Sequence, residues 1–123
     1  MLIRNILEES VRKFDEVKAV KWLNKKEIME RSYGELMENV VFTRKGLLAE
    51  GFEGKHIALI GTSSVEWMES YLGIITGCTT AVPLDAALPC EDLIDLLNRS
   101  DSVALFLSPK LKPYLDAFLE NCP

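Results

Sequence analysis

Three short apolar runs constrain this chain more than any other feature: Ile57–Ile60, Thr79–Val82 and Val103–Leu107. None is interrupted by a charged side chain, so none has the polar-out, apolar-in alternation of a strand with one wet face. Runs of four or five apolar residues are far short of the roughly 20 needed to cross a bilayer. Between them lie segments with apolar residues at helical spacing. Uninterrupted strands separated by helices predict a parallel sheet covered on both faces, with right-handed crossovers. The expected fold class is therefore α/β, a doubly wound parallel-sheet layer sandwich with strands at about 57–61, 79–82 and 103–107.

The residues before position 32 do not follow that rhythm. Ile3, Ile6, Leu7, Val11 and Phe14 recur at helical spacing, which predicts a helix over 3–16. Ala19, Val20, Trp22 and Leu23 face Ile28 and Met29 across the polar pair Lys25-Lys26, which predicts a small β-hairpin over 18–31. Ser32-Tyr33-Gly34-Glu35 spells a capping box, with serine and glutamate able to satisfy each other's backbone N–H groups. The helix it opens should present Leu36, Val40, Thr43, Leu47 and Leu48 on one face and stop near Gly51. A helix after the first strand should carry a stripe of Val65, Met68, Leu72 and Ile75, with Trp67, Tyr71 and Ile74 beside it. Gly73 is expected to admit a neighbouring element and Gly77 to cap the helix end. A fourth helix should begin with Pro89 at its first position and turn Cys90, Leu93, Ile94 and Leu97 inward. A last helix from about Pro113 should use Leu115, Phe118 and Leu119 as its apolar face. The 123 residues make one domain, with 1–31 as helix plus hairpin and 32–123 as the α/β sandwich.

Several chemistries are disfavoured by composition and spacing. A net charge of −5 leaves no basic footprint for nucleic acid. The amino-terminal stretch carries scattered charges and lacks a small-residue cleavage site, so it does not read as a secretory signal. Cys78, Cys90 and Cys122 have no metal-binding spacing, and His56 is the sole histidine, so no metal site is expected. The thiols fit a reduced, cytoplasmic protein.

The candidate ligand-facing residues are Thr62, Ser63, Ser64 and Asp85. The three hydroxyls lie at the turn after the first strand, where a helix N-terminus can receive an anion; Ser63 or Ser64 serving simply as the helix cap is the competing explanation. Asp85 follows the second strand at the carboxyl edge, where α/β ligands bind, although an aspartate there also serves as a turn former. Gly61 stands alone in Gly-Thr-Ser-Ser-Val-Glu, so the three-glycine dinucleotide fingerprint is missing. Thr76-Gly77-Cys78-Thr79-Thr80 lacks the Gly-Lys-Ser/Thr of a P-loop and runs from helix into strand, so it reads as a linker. One histidine supports no nucleophile–base arrangement, and no catalytic residue is assigned.

The order of these parts is nevertheless informative. Ser32, Tyr33, Glu35 and Leu36 open a helix; a strand then turns into Glu66-Trp67; a helix ending at Gly77 leads to Val82-Pro83-Leu84; and Glu91-Asp92-Leu93 starts the next helix. In this order they resemble the opening domain of the adenylate-forming acyl-CoA synthetase superfamily, most nearly a long-chain fatty acid–CoA ligase. The resemblance covers nearly the whole chain. It implies a full-length enzyme that joins a carboxylate to ATP, releases pyrophosphate and passes the acyl group to CoA, with Mg²⁺ at the phosphates. The family's Ser/Thr-Gly-rich loop ending in Pro-Lys-Gly has no counterpart here, since Pro109-Lys110 is followed by Leu111. The Thr-Glu pair is also missing. The resemblance thus implies an amino-terminal fragment, inert by itself and without a cofactor of its own, whose partner is the remainder of the parent chain. Apolar surface left uncovered in such a piece implies self-association, to a homodimer or higher, through a sheet edge or the helices carrying Trp67 or Phe118. An amino-acid adenylating fragment of a peptide synthetase and a freestanding non-catalytic α/β binding module are the alternatives.

Overall fold

The computed structural model of the chain describes residues 3–122. The elements run α1 (Ile3–Phe14), β1 (Lys18–Asn24), β2 (Glu27–Ser32), α2 (Tyr33–Ala49), β3 (His56–Ile60), α3 (Val65–Ile75), β4 (Thr80–Leu84), α4 (Cys90–Arg99), β5 (Ser102–Leu107), a 3₁₀ turn (Pro109–Tyr114) and α5 (Leu115–Asn121). β1 and β2 form a separate antiparallel hairpin, with Asn24 opposite Glu27 across Lys25-Lys26. Lys25 adopts φ 60°, a left-handed residue of the kind two-residue hairpin turns require.

The main sheet has the order β4-β3-β5, and both of its pairings are parallel. From β3 the chain crosses through α3 to β4 on one side; from β4 it returns through α4, past β3, to β5 on the other. Two crossovers of the same right hand that step in opposite directions must place their helices on opposite faces. The packing has this arrangement. Ile57 is buried in a cluster with Leu47 of α2 and Ile74 of α3, whereas Ala58 and Ile60 are buried with Leu93 and Leu97 of α4 and Phe118 of α5. The alternation of β3 between two cores explains why it has no polar position after His56. The expected doubly wound α/β layer sandwich, preceded by a helix and hairpin, is the observed fold.

Local chemistry sets the helix ends. Ser32 Oγ accepts from the Glu35 N–H at 3.1 Å, and a Glu35 carboxylate oxygen accepts from the Ser32 N–H at 3.1 Å, completing the capping box of α2. At its other end Gly51 sits at φ 77°, with its N–H donating to Leu48 O at 3.0 Å and that of Phe52 to Leu47 O at 3.2 Å. These two bonds are a Schellman motif. Gly73 is required by close approach: a Cβ there would lie 2.6 Å from the Thr43 side chain of α2 and 3.1 Å from Val40 O.

The capping box carries a pH dependence. Backbone and side-chain hydrogen bonds from Ser32 hold the Glu35 carboxyl below the usual glutamate range. A carboxyl lowered in the folded state contributes stability above its unfolded pKa and loses it as pH falls through the folded value. The stability gap between the native chain and Glu35→Gln, from urea unfolding, should therefore shrink between about pH 7 and about pH 3. A gap independent of pH would remove the ionised carboxylate from the cap. Ser32→Ala, which deletes the other half of the box, should cost about 1 kcal/mol at neutral pH.

Several expectations need correction. Gly77 does not cap α3 in a left-handed conformation; Thr76 is the cap residue, and Gly77 is small because a Cβ would lie 3.0 Å from Arg44 Cγ. Pro89 occupies the N-cap of α4 and not its first turn. Pro113 falls inside the 3₁₀ turn, so the last α-helix begins two residues later at Leu115. Of its expected apolar face only Phe118 is buried, while Leu115 and Leu119 are exposed. On α2, Leu48 is also exposed. On α3 the buried positions are Val65, Glu69, Gly73 and Ile74, a face rotated from the expected stripe.

That rotation brings a carboxylate inside. Glu69 is 5% exposed, and its two oxygens accept from Arg31 Nη1 of β2 at 2.5 and 2.6 Å. Asn39 Nδ2 of α2 donates to the same carboxylate at 2.6 Å. The Arg31 guanidinium lies 5.4 Å from the centre of the Trp22 ring on β1. One buried acid thus ties the hairpin and α2 to α3.

Candidate functional site: a crevice at the switch of strand order

In an open α/β sheet the chain leaves neighbouring strands in opposite directions at one place, and the parting loops open a crevice beyond the carboxyl ends. Here β3 and β5 are those neighbours. A crevice of about 670 Å³ lies there, between Leu59–Thr62 at the end of β3 and Phe106–Lys110 at the end of β5. Its floor is closed by the Ser108 N–H donating to Ile60 O at 2.9 Å, one step past the ladder. Gly61 keeps this floor narrow, because a Cβ there would lie 3.1 Å from both Ser108 Cβ and Trp67 Cδ1.

α3 supplies one wall through Ser64, Glu66, Trp67 and Ser70. The Trp67 ring is held by stacking on Tyr71, with centroids 5.2 Å apart and planes 12° apart. Asn24, at the turn end of β1, closes another side. The hairpin is therefore part of the site, positioned by the Arg31–Glu69 pair.

The four candidate residues part company. Thr62 and Ser64 line the crevice, Ser63 is exposed beside it, and Asp85 lies outside. Ser64 is the N-cap of α3, its Oγ accepting from the Trp67 N–H at 3.1 Å. Asp85 Oδ1 accepts from the Ala87 N–H at 2.9 Å, and its carbonyl from Leu88, which makes it the residue that folds the turn after β4. Asn24, Ser108 and Lys110 were not singled out from the sequence. The carboxyl-end rule, applied to the last strand as it was to the first two, would have found Ser108 and Lys110. Nothing local in the sequence marks Asn24, whose place depends on how the hairpin docks.

The donor set limits the chemistry. Lys110 is the one cation of the lining, and Glu66 opposes it with one carboxylate. The Ser64 hydroxyl is committed to the cap, which leaves the uncharged polar side chains of Asn24, Thr62, Ser70 and Ser108. A bound Mg²⁺–nucleotide triphosphate requires several positioned cations and donors, and these residues do not fit one. Among the described residues no group of three His, Cys, Asp or Glu side chains gathers to hold a metal ion. No helix among them is long and apolar enough to cross a membrane.

The fold recurs in known enzymes. It superposes on the anthranilate CoA ligase AuaEII in complex with anthranoyl-AMP, with a TM-score of 0.86 at 18% identity, over 100% of this chain and 23% of that one. The N-terminal domain of FACL13 from Mycobacterium tuberculosis gives a TM-score of 0.86 at 20% identity, over 99% of this chain and 30% of that one. A Mycobacterium tuberculosis fatty acyl CoA synthetase gives 0.85 at 20% identity, over 98% and 24%. The chain thus spans less than a third of the length of each of these proteins. No curated protein matches it in sequence. The sequence profile of the AMP-binding enzymes matches residues 7–122, nearly all of the polypeptide. By that match the chain belongs to the AMP-binding enzyme family.

Proposed function

We propose that this chain is the amino-terminal portion of an ATP-dependent fatty acid–CoA ligase, which activates a carboxylate as its adenylate and transfers the acyl group to CoA. The observation that carries this reading is the family match over residues 7–122, joined to a fold shared with carboxylate–CoA ligases. Fatty acids are favoured because a neighbour of the same fold is a fatty acyl CoA synthetase. ATP, Mg²⁺ and CoA belong to the full-length enzyme in this proposal, and the 123-residue chain alone is inert. Support for inertness comes from the crevice, whose lining holds a single lysine and a single glutamate. One anion contact at a helix end is worth on the order of 1 kcal/mol, against the roughly 8–23 kcal/mol by which enzymes lower barriers. The three cysteines are unpaired, which supports a cytoplasmic setting.

ATP–pyrophosphate exchange with panels of fatty and amino acids tests the proposal. The 123-residue chain should stay at background, and the polypeptide extended through the rest of its reading frame should exchange, with fatty acids preferred. Exchange by the short chain that disappears in Thr62→Val or Lys110→Ala would overturn inertness. Preference for amino acids in the extended protein would move it to the peptide-synthetase class.

A further inference from the structure

Two apolar side chains of matched volume often hold a buried site as firmly as an ion pair does, and without its desolvation cost. What they lack is direction. The Glu69 carboxylate accepts from Arg31 Nη1 at 2.5 and 2.6 Å and from Asn39 Nδ2 at 2.6 Å, and the Trp22 ring lies 5.4 Å from the guanidinium. Hydrogen bonds weaken steeply with angle, so this set admits one orientation of the hairpin on α3. Among the described residues it contains the only side-chain hydrogen bonds that join residues 18–31 to α3. Glu69 is 5% exposed, enclosed by the hairpin, α2 and α3 themselves.

That orientation has its consequence in the crevice. On α3, Glu69 follows Glu66 and Trp67 and directly precedes Ser70, all three of which line it. On the hairpin, Arg31 pairs with Val20, and Asn24 lies four residues further along β1, about 13 Å away at the rise of an extended strand. A tilt of roughly 10° about the ion pair moves Asn24 by about 2 Å over that length. Such a shift is enough to break a hydrogen bond. We propose that Glu69 is a positioning residue of the crevice: it does not touch the ligand, and through Arg31 it fixes Asn24 as one of the ligand's hydrogen-bond partners. The buried pair serves placement first and stability second. The effect on turnover rests on the ligase reading above; the placement of Asn24 does not.

The double replacement Arg31→Met with Glu69→Leu separates the two roles, because it keeps a packed contact and removes the direction. In the 123-residue chain its urea midpoint should stay near the native value. Residual dipolar couplings of residues 18–31, which fit the alignment of the main sheet in the native chain, should no longer fit it. In the polypeptide extended through its reading frame, exchange is titrated with ATP and with dodecanoate, and thioester formation with CoA. Asn24→Ala should raise one of these KM values about fivefold, the worth of one uncharged hydrogen bond, with little change in kcat. The double replacement should raise the same KM, and Glu69→Gln, which keeps the shape and part of the hydrogen bonding, should recover most of the loss. Should the double replacement fail to fold, Arg31→Lys, which keeps the charge and gives up the planar guanidinium, should displace the couplings and raise the same KM. Couplings that still fit one alignment would overturn the placement. An active enzyme in which Asn24→Ala moves no KM, or in which the pair variants leave the Asn24-sensitive KM unchanged, would overturn the role in the site. Absence of exchange with either acid class in the extended polypeptide would strike the ligase reading instead, and the couplings would still decide the placement.

Discussion

Replacing Glu69 with alanine is expected to cost the chain roughly 3 kcal/mol, the low end of the 3–5 kcal/mol for breaking a buried pair. The carboxylate accepts three hydrogen bonds, two from Arg31 Nη1 and one from Asn39 Nδ2. Its removal strands a guanidinium and an amide in a region that water reaches poorly. Arg31 keeps 22% of its side-chain exposure, so part of the stranded charge is resolvated, which sets the estimate at the lower end. The effect should also be local, because the pair is a tether between the hairpin and α3. Loss of the Arg31 contact over the Trp22 ring should change tryptophan emission before global unfolding. Urea unfolding followed by fluorescence and by circular dichroism separates the two. Replacing both partners, as Arg31→Met with Glu69→Leu, should recover most of the loss, since matched apolar groups often substitute for a buried ion pair without cost. A single-mutant loss below about 1 kcal/mol would reduce the pair to a surface contact.

Leu93→Ala is expected to cost about 2–5 kcal/mol. Leu93 has no exposed surface and packs in the cluster of Ala58, Ile60, Leu97 and Phe118, beneath the face of the sheet that α4 and α5 cover. Truncation removes the transfer free energy of the side chain and leaves a void whose walls come from three different elements, which limits collapse. Domains of this kind hold about 5–15 kcal/mol in total, so the variant sits near the edge of folding at 37 °C. Leu93→Met, which keeps volume, should lose less than about 1.5 kcal/mol. Thermal unfolding of the pair decides the matter; equal losses in both would place the site outside the tightly packed core.

The sheet and its helices were legible in the sequence because each rests on a local signal. β3 declares itself by the absence of polar residues after His56, α2 by Ser32 and Glu35, and its end by Gly51. The errors fall where a distant element decides the outcome. Helical periodicity on α3 points to Met68 and Leu72, but a basic residue 38 positions earlier in the chain makes Glu69 the buried one. Leu115 and Leu119 share helical spacing with Phe118, but of the residues of α5 only Phe118 is buried against the sheet. For the crevice the sequence was half sufficient. The rule about carboxyl ends placed Thr62 and Ser64 at the lining, whereas Asp85 satisfied the same rule and proved to be a turn residue. Only the strand order, which the local pattern does not encode, tells which pair of carboxyl ends parts.

That strand order also bears on how the molecule is made. Ile57 pairs with Ala81 on one flank and with Ala104 on the other, so the second pairing closes about twice the length of chain. Doubling a loop adds only about 0.6 kcal/mol of closure entropy, but parallel contacts of long sequence separation form late. During synthesis from the amino terminus, β3 and β4 can pair while β5 is still absent, and the central strand then spends an interval as an apolar edge. The crevice has no second wall in that interval. A nascent chain stalled before Ser102 should therefore be a half-sheet with one apolar edge and no pocket, the kind of transient surface that invites aggregation.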